Sequence, residues 1–134
     1  MPEKSGFPEV FFRLKSIIEP YAKNLTVVHD TSTHYYLDTR FRMKNKRPLF
    51  FGAVRTGKAY VSFHLMPVYA CPELLKGLSP ELRKRMQGKS CFNFVSVDET
   101  VFKELAGITK AGYEKFSDVG FLRELLAMQD QKKR

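Results

Sequence analysis

Several side chains in this sequence have the right types for chemistry, and their spacing decides what they can do. Gly88-Lys89-Ser90 resembles the end of a phosphate-binding loop. Such a loop begins with another glycine, where this chain has Arg83, and runs from a strand into a helix. Here the order reads as helix, then strand, so a turn glycine before a strand is the simpler reading. His64, Cys71 and Cys91 offer zinc-ligand atoms, but structural zinc takes a tetrahedral set, commonly in short paired spacings, and no Cys-x-x-Cys pair is present. Cys91 could serve as a nucleophile only with a cation or helix N-terminus to stabilise its thiolate. The carboxylates are scattered, and Asp98 and Glu99 read as helix-start residues. No catalytic residue and no metal ligand is assigned, and no cofactor is implied.

A stronger signal is charge. Residues 31–97 hold twelve Lys and Arg against three acids, which equals the whole net charge of +9. A field of one sign attracts anions. The candidate ligand-binding residues are therefore Arg40, Arg42, Lys44, Lys46, Arg47, Arg55, Lys58, Arg83, Arg85 and Lys89, with Tyr60 and His64 beside them. Tyr35, Tyr36, Tyr60, His64 and Tyr69 form a polar-aromatic group that could line a pocket among these bases. Aromatics interleaved with Arg and Lys suit a single-stranded nucleic acid, although strand aromatics also serve simple cross-strand packing.

The elements that must position these groups follow from hydrophobic period. Val10, Leu14, Ile17, Ile18 and Tyr21 recur at helical spacing, which predicts a helix over 8–23 whose last turn bends or ends at Pro20. The period then becomes two. Leu25, Val27 and His29 alternate with Thr26, Val28 and Asp30, and Tyr35, Leu37, Thr39 and Phe41 with Tyr36, Asp38, Arg40 and Arg42. Leu49 to Val54 is apolar on both sides and predicts a central strand. Thr56-Gly57 suits a tight turn, and Val61, Phe63 and Leu65 define the apolar face of a fourth strand. Ser79-Pro80-Glu81 starts a short helix over 81–87, stopped at Gly88. Cys91–Val95 reads as a short fifth strand. Ser96 to Glu99 has capping-box spacing before a helix carrying Val101, Phe102 and Leu105, and a last helix begins near Asp118 with Phe121, Leu122, Leu125 and Met128 inward.

The predicted fold is one α+β domain over 1–134: an antiparallel meander of four strands plus a short fifth, packed on one face by the N- and C-terminal helices. A homodimer could use the open sheet face. No apolar run approaches the ~20 residues of a membrane helix. The N-terminus lacks the apolar core of a signal peptide, so a cytoplasmic location with two free thiols is expected.

One stretch also resembles a known family. Gly57-Lys58-Ala59-Tyr60-Val61-Ser62-Phe63-His64-Leu65-Met66-Pro67-Val68-Tyr69, followed by Leu74-Leu75, Ser79-Pro80-Glu81-Leu82 and Gly88-Lys89-Ser90-Cys91-Phe92-Asn93-Phe94, resembles the YdhG-like small bacterial domains. These carry a Gly-Lys strand, a proline break, a short helix and a second Gly-Lys strand with aromatics. The resemblance spans roughly residues 8–110 and implies an α+β fold. The family is largely of unknown function and includes a frataxin-like protein described as an intracellular iron chaperone. Iron binding of that kind uses clustered carboxylates, whereas Glu9 and Glu19 here are offset by Arg13, Lys15 and Lys23. The sequence therefore reads first as a non-catalytic binding module for an anionic ligand or partner, nucleic acid included. The second reading is an iron chaperone, and the third an enzyme with a Cys/His pocket.

Overall fold

The computed structural model describes residues 6–43 and 46–125. Helix α1, Phe7–Ile18, ends two residues before Pro20, and the chain tightens into a 3₁₀ segment over Glu19–Asn24. Proline has no N–H to give and crowds the preceding turn, so the regular helix is shorter than the apolar period implies. The change of period at Leu25 then starts the sheet. Its strands are β1 (Thr26–Asp30), β2 (His34–Arg42), β3 (Pro48–Thr56) and β4 (Val61–Leu65), followed by β5 (Met86–Gln87) and β6 (Cys91–Phe94). All neighbours are antiparallel, in the order β1-β2-β3-β4-β6-β5.

The α+β meander is as expected, with β3 central, but the sheet has six strands rather than five. The expected helix over 81–87 is only α3, Pro80–Arg83. Beyond it Met86 pairs with Phe92 and Gln87 with Cys91, and the Asn93 N–H donates to the Arg85 carbonyl at 2.8 Å. A helix this short gains little from propagation, so strand pairing takes its last residues. Gly88, at φ 75°, is therefore the turn residue of a β-hairpin rather than a helix cap or part of a phosphate loop. The β3–β4 turn is also displaced from Thr56-Gly57 toward the C-terminus. Thr56 pairs with Val61, and the Gly57 N–H donates to the Tyr60 carbonyl at 2.9 Å, which leaves Lys58-Ala59 at the tip.

After β4 the chain breaks at Met66-Pro67 into α2, Met66–Ala70, and a 3₁₀ turn over Pro72–Leu75. Helix α4, Glu99–Phe116, is capped by Asp98, whose Oδ1 accepts from the Val101 N–H at 3.2 Å, and not by Ser96. It runs through Gly107 and Gly112. At Gly112 a Cβ would stand 2.7 Å from Pro67 Cβ, so this glycine permits the close approach of α4 to α2. Residues 119–125 are helical and bury Leu122; Met128 lies outside the described residues.

Helices α1 and α4 lie on the same side of the sheet. Val10, Leu14 and Ile18 from α1 and Val101, Phe102 and Leu105 from α4 meet Leu37, Val54, Val61, Phe63, Leu65, Phe92 and Phe94. Val61, Phe63 and Leu65 face the helices, as their alternation implies. Tyr35 belongs to this covered face too, beneath the Lys15 ammonium 4.9 Å from its ring. It is thus removed from the polar-aromatic pocket group.

Candidate functional site

The register that buries Phe63 and Leu37 turns their sequence neighbours the other way. Directly paired residues form two rows across the uncovered face. One runs His29, Tyr36, Ala53, His64, Cys91, Gln87, from β1 to β5. The next runs His34, Arg55, Ser62, Asn93. Asp38 and Phe50 extend the face toward the start of β3. All three histidines of the chain lie here. The sequence separates them widely, and strict alternation puts His29 with Val27. A register shift between Val27 and His29 reverses the phase, so Val27 pairs with Leu37 and His29 with Tyr36. His34 shares its face with Tyr36 two residues on, a signal the period-two pattern already carries.

The two halves of this face differ. Toward β1, rings form a series. His29 stacks on His34 with centroids 4.7 Å apart, both meet Tyr36 edge-on at 5.8 and 5.9 Å, and Tyr36 lies 4.7 Å from Phe50. Ala53 is only 4% exposed because the larger Tyr36, Arg55 and His64 surround it. Toward β5, polar groups satisfy one another. Ser62 Oγ donates to Asn93 Oδ1 at 3.0 Å, Cys91 Sγ donates to the same oxygen at 3.3 Å, and Asn93 Nδ2 and the Tyr60 hydroxyl donate to Gln87 Oε1.

Charge on the face is mostly positive or convertible to it. Of the two acids in the described strands, Asp38 lies on this face, whereas Asp30 pairs with Tyr35 on the covered side and is engaged by Lys15 from α1. Among the described residues Arg55 has no carboxylate partner. His34 is held below the ordinary histidine range, first by burial and then by the neighbouring charges of His29, Arg55 and His64. His64 is lowered by burial and by Arg55, and Asp38 is raised by burial. Each of these shifts removes charge from the surface, which is what crowded like charges and partial desolvation do.

Cys91 Sγ lies 3.8 Å from His64 Nε2. Burial pushes the thiol up while His64 is pushed down, so both are neutral near pH 7. A thiolate nucleophile needs the opposite arrangement. Cys71 is elsewhere, after α2, with its thiol donating to Glu73 Oε1 at 2.9 Å. The His64, Cys71 and Cys91 set is therefore divided, and both cysteines are free. Among the described residues no three His, Cys, Asp or Glu side chains are grouped to hold a metal ion.

A cavity of about 530 Å³ opens where the face ends near the start of β3. Tyr36 and Phe50 enter from the sheet, Tyr69 and Met66 from α2, and Met43 and Arg47 from the β2–β3 hairpin. The Lys89 ammonium sits 5.9 Å from the Tyr69 ring, in the β5–β6 turn tied to β4 by the Leu65 N–H to the Ser90 carbonyl.

The basic residues do not gather in one place. Arg42, Lys46, Arg47 and Lys89 occupy the cavity end. Lys58 lies at the other end of β3, and Arg83 and Arg85 precede β5 on the side where Phe94 pairs with Val61. The ends of this nine-residue strand are separated by roughly 26 Å. Arg42 donates to the Lys46 carbonyl and Arg40 to the Lys23 carbonyl, so both are tied to backbone; Arg40 also lines a concavity with Tyr113 and Phe116 on the helix side. Lys44 lies outside the described residues. No family model, curated protein or solved structure matches this chain. Among the described residues no helix is long and apolar enough to cross a membrane.

Proposed function

We propose that this chain is a non-catalytic binding module whose anionic ligand docks on the uncovered sheet face and in the cavity at its end. The observation that carries this reading is Arg55, exposed within a row between His34 and Ser62, without a carboxylate partner among the described residues and close to the His34 and His64 imidazoles. An anion there would meet a full positive charge and would stabilise protonated His34 and His64. The cavity lies in the ~300–1,000 Å³ range of small-molecule sites, and its ring and thioether walls suit a ligand with a flat apolar part.

The reading keeps the chain among the YdhG-like domains, supported by the β4 strand that breaks at Met66-Pro67 into a short helix. It places the protein in the cytoplasm. Calorimetric titration with a nucleoside monophosphate and with its uncharged nucleoside tests it. The monophosphate is expected to bind and the nucleoside to bind much more weakly, with Arg55→Ala removing most of the difference. Equal binding of both, or no effect of Arg55→Ala, would contradict it. Iron or zinc bound at one equivalent to the apo-protein would instead favour the chaperone reading. A second copy covering the same face would appear as a concentration-dependent dimer in sedimentation.

A further inference from the structure

We infer that the ligand of the uncovered face is a single-stranded nucleic acid, its bases stacked along the His34, Tyr36 and Phe50 rings and its phosphates held by Arg55 and by bases at both ends of β3. This deepens the reading above and rests on it.

Two features of the face point to it. The first is the ring series. From His29 and His34 through Tyr36 to Phe50, successive centroids are 4.7 to 5.9 Å apart, and the series leads into a cavity walled by Tyr36, Phe50 and Tyr69. That is a run of rings, with the stacked imidazoles turned edge-on to Tyr36 and Phe50 tilted beyond it, so a base can lie against successive rings on the way to a recess large enough to take one. Stacking on aromatic side chains is how proteins hold single strands, because every base offers a π-face. A duplex keeps those faces stacked inside and shows only groove edges and backbone.

The second observation is the distribution of charge. The division of the bases into two ends rules out a compact anion held by all of them, but it suits a long one. A strand laid along β3 would pass Arg47 and Lys89 at one end, Arg55 within the face, and Lys58 at the other. A free phosphate or monophosphate reaches one of these positions, and an oligonucleotide reaches several. An acidic peptide would match the charge but leave the ring platform without flat partners.

The test measures fluorescence anisotropy of a labelled oligothymidylate of about eight nucleotides, a length within the usual single-strand site range. It is compared with the nucleoside monophosphate, a duplex of equal length and a polyglutamate competitor, at ~50 and ~200 mM salt. The oligonucleotide is expected to bind at least tenfold more tightly than the monophosphate and the duplex. Tyr36→Ala should weaken it about tenfold with an unchanged salt slope, whereas Arg55→Ala should reduce the slope by roughly one phosphate contact. Should Tyr36→Ala unfold, Tyr36→Leu keeps apolar cover over Ala53 and removes only the ring. Monophosphate binding with no gain for the oligonucleotide would overturn this inference and leave the anion-binding reading intact. Absence of binding by either would overturn both. Equal competition by polyglutamate, or indifference to loss of the Tyr36 ring, would show charge attraction without base stacking and overturn the inference alone.

Discussion

Phe63 and His64 are neighbours in β4 and belong to different parts of the molecule. Phe63 is sealed under α1 and α4 among Val54, Phe92 and Leu105. His64 stands on the other side, half-buried, with Cys91 at one flank and Ala53 at the other. The same contrast repeats between Leu37 and Tyr36 and between Val54 and Arg55. The covered face consists of residues that need only to leave water, and its stability comes from apolar area. A sheet face that had only to stay wet could be met by threonine, serine and mixed charges. This one carries three imidazoles, a tyrosine, a phenylalanine and an arginine, with its polar pairs confined to the β5 side. The contrast separates residues that hold the fold together from residues free to meet a ligand.

That separation can be broken by mutation. Phe63→Ala should cost about 3–5 kcal/mol in urea unfolding, because a fully buried ring leaves a cavity. Tyr36→Ala should cost only about 1 kcal/mol, the scale of its lost ring contacts. Equal costs would mean that both faces are core. Gly52→Ala probes how closely the covered face is packed. Its Cβ would stand 2.5 Å from Ile18 Cδ1 and 2.9 Å from the His64 carbonyl oxygen, so a loss of about 1–3 kcal/mol is expected. A neutral result would show that α1 can retreat from β3 without penalty.

Acid sharpens the comparison from the other side. His34 and His64 have folded-state pKa values below the unfolded value, so the unfolded chain binds more protons. Their contribution is therefore fully present above pH ~6.5 and is lost as pH falls through that value toward their lower folded pKa values. Burial is the main cause of both shifts; His29, Arg55 and His64 add to it at His34, and Arg55 adds to it at His64. Thermal melts should show stability declining from pH ~7 to ~5, with His34→Gln reducing the decline. A profile unchanged by that substitution would mean that the fold does not hold the His34 pKa down. The smallest effect is expected for Arg55→Ala, within ~0.5 kcal/mol of wild type, since the exposed guanidinium has no carboxylate partner among the described residues.

Much of the covered face was legible because burial repeats with strict period. Tyr35, Leu37 and Thr39 alternate in the chain as they do in the sheet, and Val61, Phe63 and Leu65 likewise. The misreadings are local contests between propensity and long-range pairing. Met86-Gln87 follow a proper helix start yet close the sheet beside β6, and Asp98 caps α4 in place of Ser96. The uncovered face was legible only in part. Arg55, Tyr60 and His64 stood out by type, but His29 reaches the face through a bulge that sequence does not announce. The cavity needs the β2–β3 hairpin, α2 and the sheet end brought together by tertiary packing, which no spacing rule encodes. The basic segment of 31–97 is plain in the sequence, but its division between the two ends of β3 appears only once the strands are paired.

The most direct test of the uncovered face as the ligand surface is a histidine side-chain NMR titration across pH, with and without a nucleoside monophosphate. His29, His34 and His64 all lie on that face, and the chain has no other histidine. The expected result is that the ligand raises the imidazole pKa values of His34 and His64 together, while methyl signals of Leu14, Val61 and Leu105 on the covered side stay fixed. Unmoved imidazoles, with shifts confined to the Arg83–Arg85 segment or to the helices, would contradict the account.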